Sequence, residues 1–311
     1  MKRKLPKPEP AKSRALGITT GWMVEADYTI EQVMGRGKRV AVLKPLLSAE
    51  GKTHIYTPAS RAELPSAVAK LQRGDEAAII RFAKIYGMFG FNEILPENSK
   101  LNATFGDPLA WIWSHAETLR LCLDLKEMLD CERDDSLRNR LLSLTPSDMK
   151  HQKHPSPFLK FSAGAGVVQQ FFSPVSKEDD KNVVRHLTGK ILATIVSKNI
   201  SGIFPEMAWL ESRQTFAQYF HCTALIEMAY WHVANALRGG RVRRCERPGC
   251  GGAFIQTDGR QRFCPGDQDN KLESPCAVLA RVQRFRQRIQ ARSKKGSRFE
   301  GVASRSGSAD A

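Results

Sequence analysis

The sequence predicts an α+β fold that is mostly α: a small N-terminal antiparallel sheet, a helical body, and a C-terminal module built from a knuckle, a hairpin and a basic helix. Three observations carry this reading. Within the body, strand-like runs are confined to the stretch before Leu64. From Leu64 to Leu237 apolar residues recur mainly at steps of three and four, the period of helices with one buried face. After Gly240 four of the seven cysteines, Cys245, Cys250, Cys264 and Cys276, stand in a run dense in arginine.

With 311 residues and 41% hydrophobic content the chain can bury a large core of its own, so folding of the whole does not hang on the cysteines. The charge is uneven. Between Arg241 and Arg298 fifteen Lys/Arg face five Asp/Glu, which is +10 of the chain's +16. The expected division is a disordered basic tail over 1–14, a mixed and then helical body over 15–240, the cysteine module over 241–295, and a disordered tail over 296–311. A proline-rich polar stretch follows the basic first residues where a secretory segment would be apolar. No run of eighteen apolar residues is present either, so a soluble, cytoplasmic protein away from membranes is expected.

Taken in order, Gly21 to Tyr28, Lys38 to Pro45 and Thr53 to Thr57 have strand composition. Gly35-Arg36-Gly37-Lys38 between them lacks the length and the hydroxyl of a phosphate-cradling loop. A helix through Ala77, Ile80 and Ala83 ends at Gly87 and Gly90. Asp107-Pro108 has the chemistry of a helix start, with the aspartate as cap, and Leu109, Ile112, Trp113, Ala116, Leu119 and Leu123 define the apolar face that follows. Residues 132–180 read as loops with short helices; His151 and His154 there are expected to be a surface pair. Asn182 to Asn199 restores helical spacing. Glu211 to Leu237 reads as one long helix, carrying Cys222 and His232 as packing or surface residues and stopping at Gly239-Gly240. Cys122 and Cys131 are expected to be inert.

The C-terminal cysteines have a metal-ligand pattern. Cys245 and Cys250 flank a Pro248-Gly249 turn, close enough for both sulfurs to lie about 2.3 Å from one ion. Phe254, Ile255, the Asp258-Gly259 turn and Arg262-Phe263 read as a hairpin returning the chain to Cys264. Ser274-Pro275-Cys276 opens a helix, so the fourth thiolate would sit in its first turn, where unpaired N–H groups favour negative charge. A four-thiolate site selects zinc in a reducing cytosol and is structural, with no open coordination position. Asp267 or Asp269 is the alternative fourth ligand, and disulfides would require an oxidising compartment.

Along the last helix Val278, Val282, Phe285 and Ile289 form a narrow apolar seam, expected to pack on the hairpin or the preceding helix. Arg281, Arg284, Arg288 and Arg292 flank it, and Arg241, Arg243, Arg244, Arg247, Arg260 and Arg262 make the knuckle basic as well. Such a face is suited to phosphates, so nucleic acid is the expected partner, double-stranded DNA in particular.

The run Arg243-Arg244-Cys245-Glu-Arg-Pro-Gly-Cys250, then Phe254, then Arg262-Phe263-Cys264 and a basic helix, resembles the C-terminal finger of bacterial CGNR-type zinc-finger proteins. The resemblance covers about fifty residues. It implies a helical N-terminal domain and a role in transcription regulation, with Cys245, Cys250 and Cys264 as the first three zinc ligands and Cys276 as the fourth. Ala-Val-Leu follows Cys276 where the family has Gly-Asn-Arg, and the gap from Cys264 is longer than the family's. Two function classes result: a zinc-binding, DNA-binding regulator whose body senses a signal or forms a homodimer, and a nucleic-acid-targeted enzyme or toxin-like effector delivered by the finger. The first is preferred, and no enzyme activity is expected, because no nucleophile–base pair, phosphate loop or clustered carboxylates is visible.

Overall fold

A computed structural model describes residues 21–35, 38–46, 53–91, 106–144, 159–162, 167–170, 180–210, 215–266 and 273–303. The fold is mixed α+β, mainly helical, with small antiparallel sheets. The expected tail over 1–14, the pair His151 and His154, and Asp267 and Asp269 lie outside the described residues.

Strand β1 (Trp22–Val24) pairs antiparallel with β4 (His54–Tyr56). Strands β2 (Tyr28–Gly35) and β3 (Lys38–Pro45) form a hairpin in full register, from Tyr28 opposite Pro45 to Gly35 opposite Lys38. Gly35 and Lys38, from the glycine-bearing stretch, are thus the last paired residues of the two strands. Two short helices follow, α1 (Leu64–Ala69) and α2 (Glu76–Tyr86). The Asp75 side chain caps α2 by accepting from the Ala78 N–H, and Gly87 ends it at φ +84°, where a Cβ would lie 2.7 Å from the Met23 carbonyl oxygen.

Asp107–Pro108 forms the two-residue strand β5 at the edge of β3 and leads into α3 (Leu109–Asp130), the central helix. The expected capping role of Asp107 is corrected here. Its residue pairs in the sheet, so its carboxylate turns away from α3 and accepts from the Phe89 N–H at 2.6 Å and the Phe91 N–H at 2.7 Å. Leu109, Ile112, Ala116, Leu119 and Leu123 are buried as the spacing predicts, and so are Leu121, Cys122 and Leu125, because α3 is covered on several sides. Its neighbours include α1, α4 (Asp134–Ser143), α5 (Lys181–Asn199) and α6 (Leu225–Gly239).

The hairpins β6 (Leu159–Ser162) with β7 (Val167–Gln170) and β8 (Phe204–Leu210) with β9 (Thr215–His221) complete the body. The second corrects the expected single helix over Glu211 to Leu237. Its first part, Thr-Phe-Ala-Gln-Tyr-Phe-His, is strand β9, rich in the aromatic residues that favour pleated pairing. Cys222 therefore precedes α6 and only His232 lies on it, both buried. No described helix is long and apolar enough to cross a membrane.

After α6, strand β10 (Arg241–Arg244) pairs antiparallel with β11 (Ala253–Gln256), and α7 (Pro275–Ala303) closes the described chain. Helix α7 runs past residue 295, where a disordered tail was expected to begin.

Candidate metal centre

The site is assembled from three pieces of backbone. The knuckle is a β-turn in which the Cys250 N–H donates to the Arg247 carbonyl at 3.1 Å, with Pro248 and Gly249 (φ +79°) in the middle positions. The Cys245 N–H closes the loop onto the Gly252 carbonyl at 2.9 Å. The expected hairpin over 254–263 is corrected: the strands that pair are β10 and β11, before and after the knuckle, so the hairpin carries Cys245 at the end of one strand. The segment from Thr257 returns to the site without a strand and is tied to the knuckle by the Glu246 N–H donating to the Arg262 carbonyl at 3.0 Å. The third piece is the start of α7. The Ser274 side chain accepts from the Ala277 N–H at 3.3 Å, Pro275 takes the first helical position, and Cys276 lies in the first turn.

These pieces bring Cys245, Cys250, Cys264 and Cys276 together, with their sulfurs all within 4.8 Å of one another. The Cys250 Sγ lies 3.7 Å from both the Cys264 Sγ and the Cys276 Sγ. This is far beyond a disulfide bond, and all four thiols are free. Four sulfurs at about 2.3 Å from one central ion stand about 3.8 Å apart along the edges of a tetrahedron. The spacing therefore fits a single tetrahedral metal ion. Phe254, fully buried on β11, and the half-buried Phe263 form a small apolar shell around the thiols.

The thiols differ in their ease of ionisation. Burial works against the Cys250 thiolate, yet the Gly252 N–H and the neighbouring thiols outweigh it and bring the group down to about 7. Burial pushes Cys276 up to about 11 and Cys264 higher still, with the surrounding thiols adding to the shift. One thiolate is thus available near neutrality to start metal capture, and the charge of the arriving ion would favour loss of the remaining protons.

The body contributes to this site, which sequence reasoning missed. Strand alternation sends Val242 and Arg244 of β10 toward α3. The Val242 N–H donates to Asp130 Oδ2 at 2.8 Å, and the Arg244 guanidinium meets Asp124 at 2.9 Å and Glu127 at 3.6 Å. Lys70, at the C-terminal end of α1, reaches the cluster and interacts with the Cys264 sulfur; burial works to discharge it, but the neighbouring cysteine sulfurs, Cys264 foremost, hold its pKa above the usual range. No local signal marks these residues, because Arg244 and Asp124 are 120 positions apart.

The arginines are distributed unequally. Arg244 is committed to the body, Arg247 is half-buried, Arg262 lies 3.9 Å from Glu246 and Arg281 is paired with Glu273. Arg284 lies over the Phe263 ring at 5.8 Å. Arg241, Arg243, Arg260 and Arg288 are exposed and have no acidic partner among the described residues. The side chain of Arg292 lies outside the described set. The expected packing of the seam is corrected: Val278, Val282, Phe285 and Ile289 are 40%, 40%, 63% and 52% exposed. The body-facing side of the hairpin is filled by α1 and α3, and among the described side chains of α7 burial is confined to the first turns, at Cys276 and Ala280.

Comparison of the chain with protein-family profiles, with curated proteins and with solved structures gives no match.

Proposed function

We propose that this chain is a zinc-binding, DNA-binding protein, a bacterial transcription regulator whose helical body senses a signal or forms a homodimer. The observation that carries the reading is the placement of Cys276. It belongs both to a thiol cluster of tetrahedral dimensions and to the first turn of a basic helix whose residues 281–290 are all exposed. A metal ion there would fix the direction in which α7 leaves the body. Zinc suits four thiolates because it is redox-inert and accepts tetrahedral sulfur coordination, which also leaves no open position for catalysis.

A bare helix of about 10–12 Å diameter fits the DNA major groove, which is about 12 Å wide. Arg281, Arg284 and Arg288 lie along it, and Arg241 and Arg243 share one face of β10 beside its base. Their guanidinium groups suit phosphates and the acceptor edge of guanine. Bacterial origin, regulation and a reducing cytoplasm follow from the resemblance to CGNR-type fingers and are part of the proposal.

The test joins elemental analysis to binding of random-sequence double- and single-stranded oligonucleotides. About one zinc per chain is expected, with duplex DNA bound and the affinity falling as salt rises. Replacing Arg281, Arg284 and Arg288 with Ala should weaken binding and flatten its salt dependence by about one counterion for each phosphate that the helix no longer neutralises. A metal-free protein purified under reducing conditions would remove the zinc reading. Preference for single strands or RNA would replace the DNA reading.

A further inference from the structure

A second site is built into the body. A cavity of about 670 Å³ lies where β1, the start of β2, the end of β3, the Met88–Gly90 turn, the entry to α3 and the segment between β9 and α6 meet. Small-molecule sites fall between about 300 and 1,000 Å³. The cavity shares no lining residue with the thiol cluster or with α7, and nothing in the proposed metal or DNA chemistry uses it.

The walls include aromatic and thioether side chains from Trp22, Tyr28, Met23 and Met88. The polar groups are Glu25, Asp107, His221 and Thr223. Among the described residues two carboxylates and no lysine or arginine line the cavity, in a chain that has 48 Lys and Arg against 32 Asp and Glu. Among the described residues Glu25 has no ion-pair partner, and the Asp107 carboxylate accepts from backbone N–H groups. This leaves negative charge beside π faces, the combination that attracts organic cations and repels carboxylates and phosphates.

The frame is fixed before any ligand arrives. The Trp22 indole N–H donates to the Met88 carbonyl at 3.0 Å, and the Glu25 N–H donates to the Tyr28 hydroxyl at 2.8 Å. Gly90, at φ +90°, lets the chain pass between Trp22 and Ala224, where a Cβ would lie 2.8 Å from the Ala224 Cα. Rigid walls reduce the ordering cost of binding.

We infer that this cavity binds a small organic amine with an aromatic or other apolar body, its ammonium paired with Glu25 in the field of Asp107 and its apolar part against Trp22, Tyr28 and Met88. The sequence signal is faint, because the lining residues come from five separated stretches between Gly21 and Thr223.

The test is calorimetric titration of the full chain with three matched probes: 2-naphthylmethylamine, 2-naphthylmethanol and 2-naphthoate. The amine is expected to bind at least about tenfold more tightly than the alcohol, and the carboxylate not at all. Glu25→Gln should weaken the amine by about tenfold while leaving the alcohol unchanged, since it removes charge and keeps shape. The Glu25 side chain has no described partner to lose, and an unchanged melting temperature would verify that the variant is folded. Equal binding of the three probes, no amine binding up to about 1 mM, or an amine affinity untouched by Glu25→Gln in a folded variant would each overturn the assignment. Metal content and DNA binding are read separately, so their failure would leave this result standing.

Discussion

Helices α3 and α7 are the two longest in the described chain and are held in opposite ways. Helix α3 is covered by neighbours on several sides and buries Leu109, Ile112, Ala116, Leu119, Leu123 and Leu125. Among the described side chains of helix α7 only those of the first turns are buried, and its apolar seam is exposed. One helix is stabilised by area removed from water. The other depends on what anchors its N-terminus, a cluster of four thiols. The same secondary structure thus has two different sources of support in one chain, and the two meet where Arg244 and Val242 of β10 reach Asp124 and Asp130 of α3.

Metal removal should separate them most sharply. Structural zinc contributes about 10–16 kcal/mol of apparent binding free energy in small fingers. Chelation, or Cys250→Ser, is expected to release the metal, free the start of α7 and abolish DNA binding, while the main thermal transition of the body persists. Far-ultraviolet circular dichroism with elemental analysis measures this. Complete loss of the body's transition on chelation would mean that the thiol cluster supports α3 as well.

Truncation in the two apolar faces should give the next largest contrast. Leu119→Ala removes a fully buried side chain and is expected to cost about 2–5 kcal/mol in chemical denaturation. Phe285→Ala, at a residue 63% exposed, should change stability by less than about 0.5 kcal/mol. A large cost for Phe285→Ala in the isolated chain would show that α7 is covered in solution, by a second copy or by the body.

The centre of α3 also carries a titration that α7 lacks. Burial lowers His115 from 6.5 to about 3, and its Nδ1 lies 3.1 Å from the Tyr230 hydroxyl. A depressed folded pKa means stability that is complete above pH 6.5 and lost as pH falls toward 3, at about 1.4 kcal/mol per pH unit for one proton. Asp107 works in the opposite direction: burial raises it from 3.8 to about 6, so the stability it lends is complete below pH 3.8 and lost as pH rises through 6. His115→Phe should therefore gain stability relative to the parent as pH is lowered from 6.5 to 4.5. A pH-independent difference between the two proteins would show that His115 is protonated in the fold.

The same contrast explains which parts of the molecule were legible in the sequence. Helix α3 was readable because Leu109, Ile112, Ala116, Leu119 and Leu123 follow the helical period and that face is indeed buried. The thiol cluster was readable because each cysteine stands beside a local turn or helix start. Strand β9 was not, since Phe216 and Phe220 stand four apart and mimic one helical face, whereas the partner strand β8 decides the outcome. The hairpin was misplaced because Arg241 to Arg244 offers only Val242 as an apolar strand residue. Its pairing with β11 is supported by α3 through Asp124, Glu127 and Asp130, interactions that no local pattern encodes.

The smallest expected effect concerns Lys70, a cation that the body lends to the module. Zinc with four thiolates carries net negative charge, and Lys70 at the end of α1 stands beside Cys264. Its ammonium offsets part of that charge at close range, less strongly than in a dry interior because the residue is exposed. Lys70→Met keeps the aliphatic stem and removes the charge, so metal affinity should fall by roughly tenfold, as it does when outer partners of metal ligands are removed. Lys70→Arg should restore most of it. Competition of the full-length protein against a chromogenic chelator measures the difference, and DNA affinity at saturating zinc separates weaker metal binding from weaker phosphate binding. If Lys70→Met holds zinc as tightly as the parent, the link between body and module is mechanical alone, through Arg244, Asp124 and the β10 backbone.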